Sequence, residues 1–93
     1  MIIGFSDKET EKVWRGTFSR RLPVAIQEVA RRKLRMLSAA HGLNDLRLAR
    51  ANRLEALKHE RKGQHSIRIN DQWRICFRWV DGNAADVEIV DYH

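Results

Sequence analysis

The chain has 93 residues, 43% of them hydrophobic, and a net charge of +6, which fits a single domain over residues 1–93 with one modest core. Its apolar runs are only a few residues long, and its first residues lack the basic and apolar regions of a signal peptide, so neither a membrane span nor secretion is expected. A single Cys excludes an internal disulfide, and a cytoplasmic location is the expectation.

The N-terminal residues predict a short strand and a first helix. Ile2–Phe5 is apolar enough for a strand. Ser6 or Asp7 follows as a helix N-cap, and acidic residues come next, where the helix dipole favours them. This first helix is expected to end near Gly16.

A second helix is predicted to begin at Pro23, placed at the first helical position, and to stop at His41-Gly42. Asn44 is expected to cap one further turn, residues 45–48. The apolar residues of the second helix recur at helical spacing and predict its buried side: Ile26, Val29, Ala30, Leu34, Leu37 and Ala40.

The C-terminal half predicts four strands. Leu54–Lys58 is the first, and a charged turn leads into a hairpin over residues 63–79 with its turn at Asn70-Asp71. After a turn at Asp81-Gly82, Ala85–Val90 forms the last strand. Period-two alternation predicts one face with Trp73, Ile75, Phe77 and Trp79, and an opposite face with Arg74, Cys76 and Arg78. His65 has the parity of Ile67 and Ile69 and is predicted to be structural.

The element order is therefore β-α-α-β-β-β-β, an α+β domain with two N-terminal helices packed on one face of a mostly antiparallel sheet. The other face is expected to stay open and to carry Arg68, Arg74, Arg78 and Tyr92. Residues 15–78 hold 16 Lys and Arg against five acidic residues, and 13 of the 18 basic residues are Arg, which suits phosphate contacts. A solvated basic surface and a nucleic-acid site explain this charge about equally well.

The chemistry-bearing residues are few. The His residues and Cys76 are scattered, so no metal site is predicted, and Cys76 is expected to be a small reduced residue rather than a nucleophile. Asp91-Tyr92-His93 ends the chain. Taken alone it is more often a frayed tail, but strand pairing brings it beside the Arg-bearing hairpin. Acid–base groups next to cations are what RNA cleavage by transesterification requires.

The hairpin sequence from Gly63 to Phe77 and the terminal Val90-Asp91-Tyr92-His93 resemble the HigB family of bacterial toxins, in the RelE/ParE superfamily. The resemblance implies a RelE-like, microbial-ribonuclease-type fold and cleavage of mRNA in the A site of the translating ribosome without a cofactor or metal. It implies a HigA-like helix-turn-helix antitoxin as partner, with operator DNA bound only through that antitoxin. By position, Asp91, Tyr92 and His93 match the family's catalytic group and Arg74 its phosphate-stabilising arginine.

The basic residues expected to hold RNA are Lys58, Lys62, Arg68 and Arg78. One departure from the family lies in the strand predicted over Leu54–Lys58, where Glu55 occupies the position of a catalytic His. Glu55 could act as a base, or His93 could work largely alone. Two other hypotheses remain open. A ParE-like gyrase inhibitor would need no catalytic tail, and a non-catalytic nucleic-acid-binding module would bind RNA in a salt-sensitive way without cutting it.

Overall fold

Helices come first along the chain and strands follow in the computed structural model, which describes residues 1–92. Within these residues the helices are α1 (Lys8–Arg15), α2 (Val24–Ala39) and α3 (Leu43–Leu48). The strands are β1 (Glu55–Ala56), β2 (Gln64–Arg68), β3 (Trp73–Val80) and β4 (Asn83–Asp91), all antiparallel and in the spatial order β1-β2-β3-β4. Two short 3₁₀ turns, Arg50–Asn52 and His59–Arg61, flank β1. The α+β class predicted from the sequence is confirmed.

Helix α1 begins and ends where its sequence indicates. Asp7 is the N-cap, and its Oδ2 accepts a hydrogen bond from the backbone N–H of Thr10 at 3.2 Å. Gly16 ends the helix in the left-handed conformation, with φ of 81°. That conformation is strained for any residue with a Cβ, so the position of Gly16 fixes the length of α1.

The starts of the next two helices differ slightly from the prediction. Pro23 occupies the N-cap of α2 rather than its first helical position. Gly42 is the N-cap of α3, so the predicted cap Asn44 is wrong and lies inside the helix. The side chain that bonds to the backbone before α3 is that of Asp45, whose Oδ2 accepts a hydrogen bond from the backbone N–H of His41 at 2.8 Å.

Two predicted strands are shorter than expected. The segment predicted as a strand at Ile2–Phe5 forms only two isolated parallel bridges, to Ala84 and Val87 of β4. The strand predicted over residues 54–58 is reduced to β1, because positive φ angles at Arg53 (44°) and His59 (58°) turn the chain on either side of it. The N-terminal segment therefore covers one edge of the sheet, and β1 forms the other.

The core lies between α2 and one face of the sheet. Phe77 is the largest of its fully buried side chains. His65 packs against Phe77 with its ring centroid 6.1 Å away, as expected for a structural histidine, and burial lowers the pKa of His65. Within residues 1–92, no helix is both long and apolar enough to cross a membrane. The core joins side chains of α2 and the sheet in one cluster, including Ile26, Ala30, Leu34, Leu37, Ile67, Ile75, Phe77, Val87 and Ile89.

The second face of the sheet, the one turned away from α2, is less open than predicted. Ser66 and Cys76 are fully buried there. The cover comes from the chain between Arg53 and Arg61: the carbonyl oxygen of Arg53 accepts a hydrogen bond from Arg74, and Arg61 donates to a side chain of β4. Only the rim of this face is left to solvent.

A candidate nucleic-acid site on the second face

Strand register brings side chains of all four strands together on the second face. One row runs from Glu55 through Ser66 and Cys76 to Glu88, each residue paired with the next across the sheet. Paired residues of neighbouring strands share a face, because side chains alternate along each strand. Carboxylates therefore occupy both ends of this row, and a thiol and a hydroxyl lie between them.

The neighbouring row places Arg68 opposite Arg74, and Arg74 opposite Val90. Two arginines are thus directly opposite each other in the sheet, one row away from Glu55. Like charges directly opposite each other destabilise a sheet unless another group compensates them. Asp71 does this for Arg68, with which it forms an ion pair.

Arg74 is the centre of the site. Its Nε donates to Oγ of Ser66 at 2.7 Å, and its Nη2 donates to the carbonyl oxygen of Arg53 at 2.6 Å. The residue is only 9% exposed, yet it has no carboxylate partner among residues 1–92. A buried cation held only by neutral acceptors favours the arrival of an anion.

Tyr92 lies directly over this guanidinium, with Cζ of Arg74 5.8 Å from the ring centroid. This is a cation–π distance. The backbone N–H of Tyr92 donates to the carbonyl oxygen of Gln72 at 2.7 Å, which continues the pairing of β4 one residue past the strand. The prediction that the chain's end lies beside the Arg-bearing hairpin is therefore confirmed for Tyr92.

Asp91 is positioned differently from Tyr92. It pairs with Trp73, and its Oδ2 accepts a hydrogen bond from Nε2 of Gln72 at 3.0 Å. Strand alternation gives Asp91 and Tyr92 opposite sides of the sheet, so the two do not project together over Arg74. His93, the third residue of the predicted group, lies outside the described residues.

A cleft of about 200 Å³ opens beside Tyr92. Lys58, one of the residues predicted to hold RNA, lines it and is exposed. His59 also lines it, and the left-handed backbone at His59 turns the chain here. Glu55 is absent from the residues that line this cleft, which are Leu57, Lys58, His59, Glu60, Arg61 and Tyr92.

The other predicted RNA contacts lie at the rim of the second face. Lys62 is exposed just after the 3₁₀ turn of residues 59–61. Arg68 is paired with Asp71, and Nε of Arg78 lies 3.4 Å from Oδ2 of Asp86. Ion pairs on the surface contribute little to stability and are screened by salt. A phosphate can therefore replace either carboxylate at small cost.

Sequence reasoning missed three contributors to the site, Ser66, Arg61 and His59. Ser66 could have been found, because the register that places Arg68 opposite Arg74 also places a hydroxyl on the same face. Arg61 donates from Nη1 to Oε1 of Glu88 at 3.2 Å and so lies across the face, but no sequence pattern indicates this contact. His59 depends on a backbone turn with no Gly or Asn to signal it.

Cys76 takes no part as a nucleophile in this arrangement. Burial is the main cause that raises the pKa of its thiol, and the carboxylates of Glu88 and Glu55 act in the same direction. The guanidinium groups of Arg61 and Arg74 act against this, but burial prevails. A thiol that keeps its proton is a poor nucleophile, in agreement with the prediction.

One protein family and several known proteins are similar to this chain. The family described as "RelE-like toxin of type II toxin-antitoxin system HigB" matches residues 4–93. "Toxin HigB-1" of Vibrio cholerae is 42% identical over 87 residues, 92% of each chain. An uncharacterized protein of Haemophilus influenzae is 36% identical over 73 residues, 78% of this chain and 71% of its own length. "Endoribonuclease HigB" of Proteus vulgaris is 39% identical over 41 residues, 44% of this chain and 45% of its own.

Proposed function

The chain belongs to the HigB family of RelE-like toxins of type II toxin-antitoxin systems, and we propose that it is an endoribonuclease that cuts mRNA in the A site of the translating ribosome. The observation that carries this proposal is Arg74, a guanidinium that is 9% exposed, lacks a carboxylate partner among the described residues and lies under the ring of Tyr92. The name of the Proteus vulgaris relative supports the nuclease activity.

In the proposed reaction a base removes the proton of a ribose 2′-hydroxyl. The 2′-oxygen then bonds to the adjacent phosphorus, the bond from phosphorus to the 5′-oxygen breaks, and an acid gives that oxygen a proton. Arg74 stabilises the charge that builds up on the phosphoryl oxygens in between. Fixed donors aimed at developing charge often contribute the largest part of such catalysis, and Arg74 is fixed by Ser66 and Arg53. No metal ion is needed in this scheme, because the guanidinium supplies the positive charge.

Proton transfer is assigned to Glu55 and to the last residues of the chain. Glu55 lies one row from Arg74, at the exposed edge of the sheet, and we assign it the role of general base. His93 is the proposed general acid, since an imidazole titrates near neutral pH, with Asp91 orienting it. Tyr92 stacks on a base or orients the phosphate next to Arg74.

RNA on either side of the cut would contact the cationic rim. Lys58 lines the cleft, Lys62 and Arg78 lie near the start of β2, and Arg68 lies at the opposite end of that strand. The location is the cytoplasm, where ribosomes translate. A HigA-like antitoxin with a helix-turn-helix would neutralise the toxin and carry the complex to operator DNA.

The test uses purified toxin with ribosomes that hold a defined mRNA, and it maps the new 5′ ends. The parent should cut in the A site and leave the same mRNA intact without ribosomes. Arg74→Lys keeps the charge and loses the fork of two hydrogen bonds, so it should cut at least tenfold more slowly. Arg32→Lys, on the exposed side of α2, is the matched control and should cut like the parent.

Two results would overturn the proposal. One is intact mRNA with ribosomes under conditions where the toxin stops growth. The other is unchanged cutting by both Arg74→Lys and His93→Gln. Inhibition of DNA supercoiling by gyrase, with transcripts intact, would point to the ParE-like activity instead.

A further inference from the structure

The cleft beside Tyr92 is lined by two residues with rings, Tyr92 itself and His59. Tyr92 is half-buried, whereas His59 is exposed. Neither Arg74 nor Glu55 is among the described residues that line it. Tyr92 connects the cleft to Arg74, since its ring lies over the guanidinium and the residue also lines the cleft. The cleft is therefore next to the place assigned to the scissile phosphate, separated from it by Tyr92.

The wall that carries His59 is held in place by hydrogen bonds. The backbone N–H of Arg61 donates to the carbonyl oxygen of Lys58 at 3.2 Å, and that of Lys62 donates to the carbonyl oxygen of His59 at 3.1 Å. Nη1 of Arg61 also donates to Oε1 of Glu88 in β4 at 3.2 Å, which attaches the turn to the sheet. None of these bonds uses the imidazole of His59. The turn is therefore built without the ring that it presents.

The backbone at His59 suits a different residue better. Its φ angle of 58° lies in the left-handed region, which residues with a Cβ adopt uncommonly and Gly adopts readily. Residues kept in such a conformation cluster at binding and active sites. Gly would form the same turn with less strain, so the fold alone does not explain an imidazole at this position.

The charges around the cleft favour a neutral ligand over a second phosphate. Lys58 and Arg61 line it and are cationic, but Glu60 also lines it and Glu88 is paired with Arg61. Two positive and two negative groups thus offset each other, and Glu60 would repel a phosphate. A nucleobase has no charge, and its edges present both donors and acceptors. The carboxylate of Glu60 and the ammonium of Lys58 can bond to such edges.

Stacking is the contact that the residues of the cleft can offer to a base. Leu57 adds apolar surface to it and is only 6% exposed. Bases of single-stranded RNA are commonly bound by stacking on aromatic side chains, His and Tyr among them. An RNA with its phosphate at Arg74 has its adjoining nucleotide near Tyr92, because Tyr92 lies over that guanidinium. The base of this nucleotide can then enter the cleft.

Proton transfer explains His59 less well than stacking does. The protons that move in the cleavage reaction belong to oxygens bonded to phosphorus or adjacent to it. Arg74, the residue proposed to hold this phosphoryl group, does not line the cleft, whereas His59 does. A general acid or base must reach the reacting oxygen within hydrogen-bond distance. The cleft is better placed for a base than for the reacting oxygens.

We propose that this cleft binds the nucleobase next to the cut, which stacks against the rings of Tyr92 and His59. His59 is then an RNA-contacting residue and not an acid or a base. The inference rests on the proposed nuclease function and adds to it a subsite and a residue. The strained backbone at His59 is kept because it presents a ring to the RNA.

The experiment measures kcat/KM for ribosome-dependent cleavage at a temperature where every variant is folded. His59→Gly and His59→Asn remove the ring, and both residues tolerate left-handed backbone, so they should melt no earlier than the parent. Each should cut about 5–150-fold less efficiently, the range for one lost base–aromatic contact. His59→Phe keeps a ring without a titratable group and should retain most of the activity. His41→Asn, at an exposed His outside the cleft, is the matched control and should cut like the parent.

A second measurement uses mRNAs that carry an abasic ribonucleotide at each position of the A-site codon in turn. These substrates keep the 2′-hydroxyl and lose only the base. At one position the parent should cut more slowly than on the intact mRNA. On that substrate His59→Gly should cause no further loss, because the two changes remove the same contact and their effects do not add.

The outcomes separate this inference from the proposal on which it rests. A parent that leaves ribosome-bound mRNA intact refutes the nuclease function and the subsite together. If the parent cuts, and His59→Gly and His59→Asn cut equally well while folded, only the subsite is refuted. Equal losses in His59→Phe and His59→Gly, with a changed pH profile of kcat, would make His59 a proton-transfer residue and also refute it. An undiminished effect of His59→Gly on all three abasic mRNAs would exclude a base as the ligand.

Discussion

Ser66→Ala tests whether the second face is built to hold Arg74 in place. Ser66 is fully buried, and its hydroxyl is the acceptor for Nε of Arg74 at 2.7 Å. Without that oxygen a donor of a charged group is left inside the protein without a partner. A hydrogen bond to a charged group contributes about 1.5–3 kcal/mol. For a domain of this size, a loss of about 2 kcal/mol lowers the melting temperature by about 8–16 °C.

The same change should slow RNA cleavage, because Arg74 would lose the only acceptor of its Nε and keep only the carbonyl oxygens of Arg53 and Ser66, both bonded to Nη2. A misplaced catalytic group costs up to about 100-fold in rate, so we expect kcat to fall about 10–100-fold with KM little changed. If Ser66 positions Arg74, kcat falls while KM stays nearly the same. If Ser66 is only structural, the change lowers the folded fraction and leaves the kcat of the folded protein unchanged. The assay is ribosome-dependent cleavage at a temperature where parent and variant are both fully folded by circular dichroism.

Ser19→Ala is the matched control for Ser66→Ala. Ser19 is also fully buried, and its Oγ donates to Oε1 of Glu9 at 2.6 Å, so its removal likewise breaks a bond to a charged group. It lies on the helical side of the molecule, far from Arg74. Ser19→Ala should melt earlier but cut at the parental rate while folded. If Ser66→Ala also cuts at the parental rate while folded, the idea that Ser66 positions Arg74 is refuted.

Three further changes probe the site and the core. Glu55→Gln should fold like the parent, since Glu55 is exposed, and cut about 10²–10⁴-fold more slowly if it is the base; an unchanged rate removes it from the mechanism. Tyr92→Phe keeps the ring over Arg74 and should retain more activity than Tyr92→Ala in the same assay, and equal losses would show that the hydroxyl is what matters. Burial lowers the pKa of His65 below its ordinary value of 6.5. As pH falls, the unfolded chain therefore takes up a proton at this residue before the folded chain does. The stability that neutral His65 contributes is fully present above pH 6.5 and is lost as pH falls through the pKa of the folded state. Denaturant titrations at several pH values should show that the free energy of unfolding depends less steeply on pH in His65→Phe than in the parent, and equally steeply in His41→Gln. An unchanged pH dependence in His65→Phe would contradict this prediction.

The faces of the central strands could be predicted from the sequence because alternation is a local signal. Ile75 and Phe77 have the same parity and are buried in the core, whereas Arg74 and Arg78 have the other parity and lie on the second face. A shift of one residue would place the apolar side chains in solvent and the Arg side chains in the core. Burial of one face therefore fixes the register, and the register in turn fixes which residues can meet Arg74.

The cover of the second face could not be predicted in this way. It depends on left-handed backbone at Arg53 and His59, and residues other than Gly adopt that conformation only uncommonly. Propensity favours a continuous strand from Leu54 to Lys58, and tertiary contacts override it. One of these contacts is the bond from Arg74 to the carbonyl oxygen of Arg53. A residue at the centre of the proposed site thus helps to set the backbone that shields it.

The distribution of carboxylates among the arginines is the strongest electrostatic argument for an anion at the centre of the second face. Arg68 and Arg78, at the rim, have acidic partners that solvent screens and a phosphate can replace. Arg74 is the most buried of the three and is held by neutral acceptors alone within the described residues. Stability would favour the reverse, since a buried cation gains more from a carboxylate than an exposed one does. Leaving the inner guanidinium without an acid while the outer two have one makes sense if the missing charge is a phosphate of the RNA.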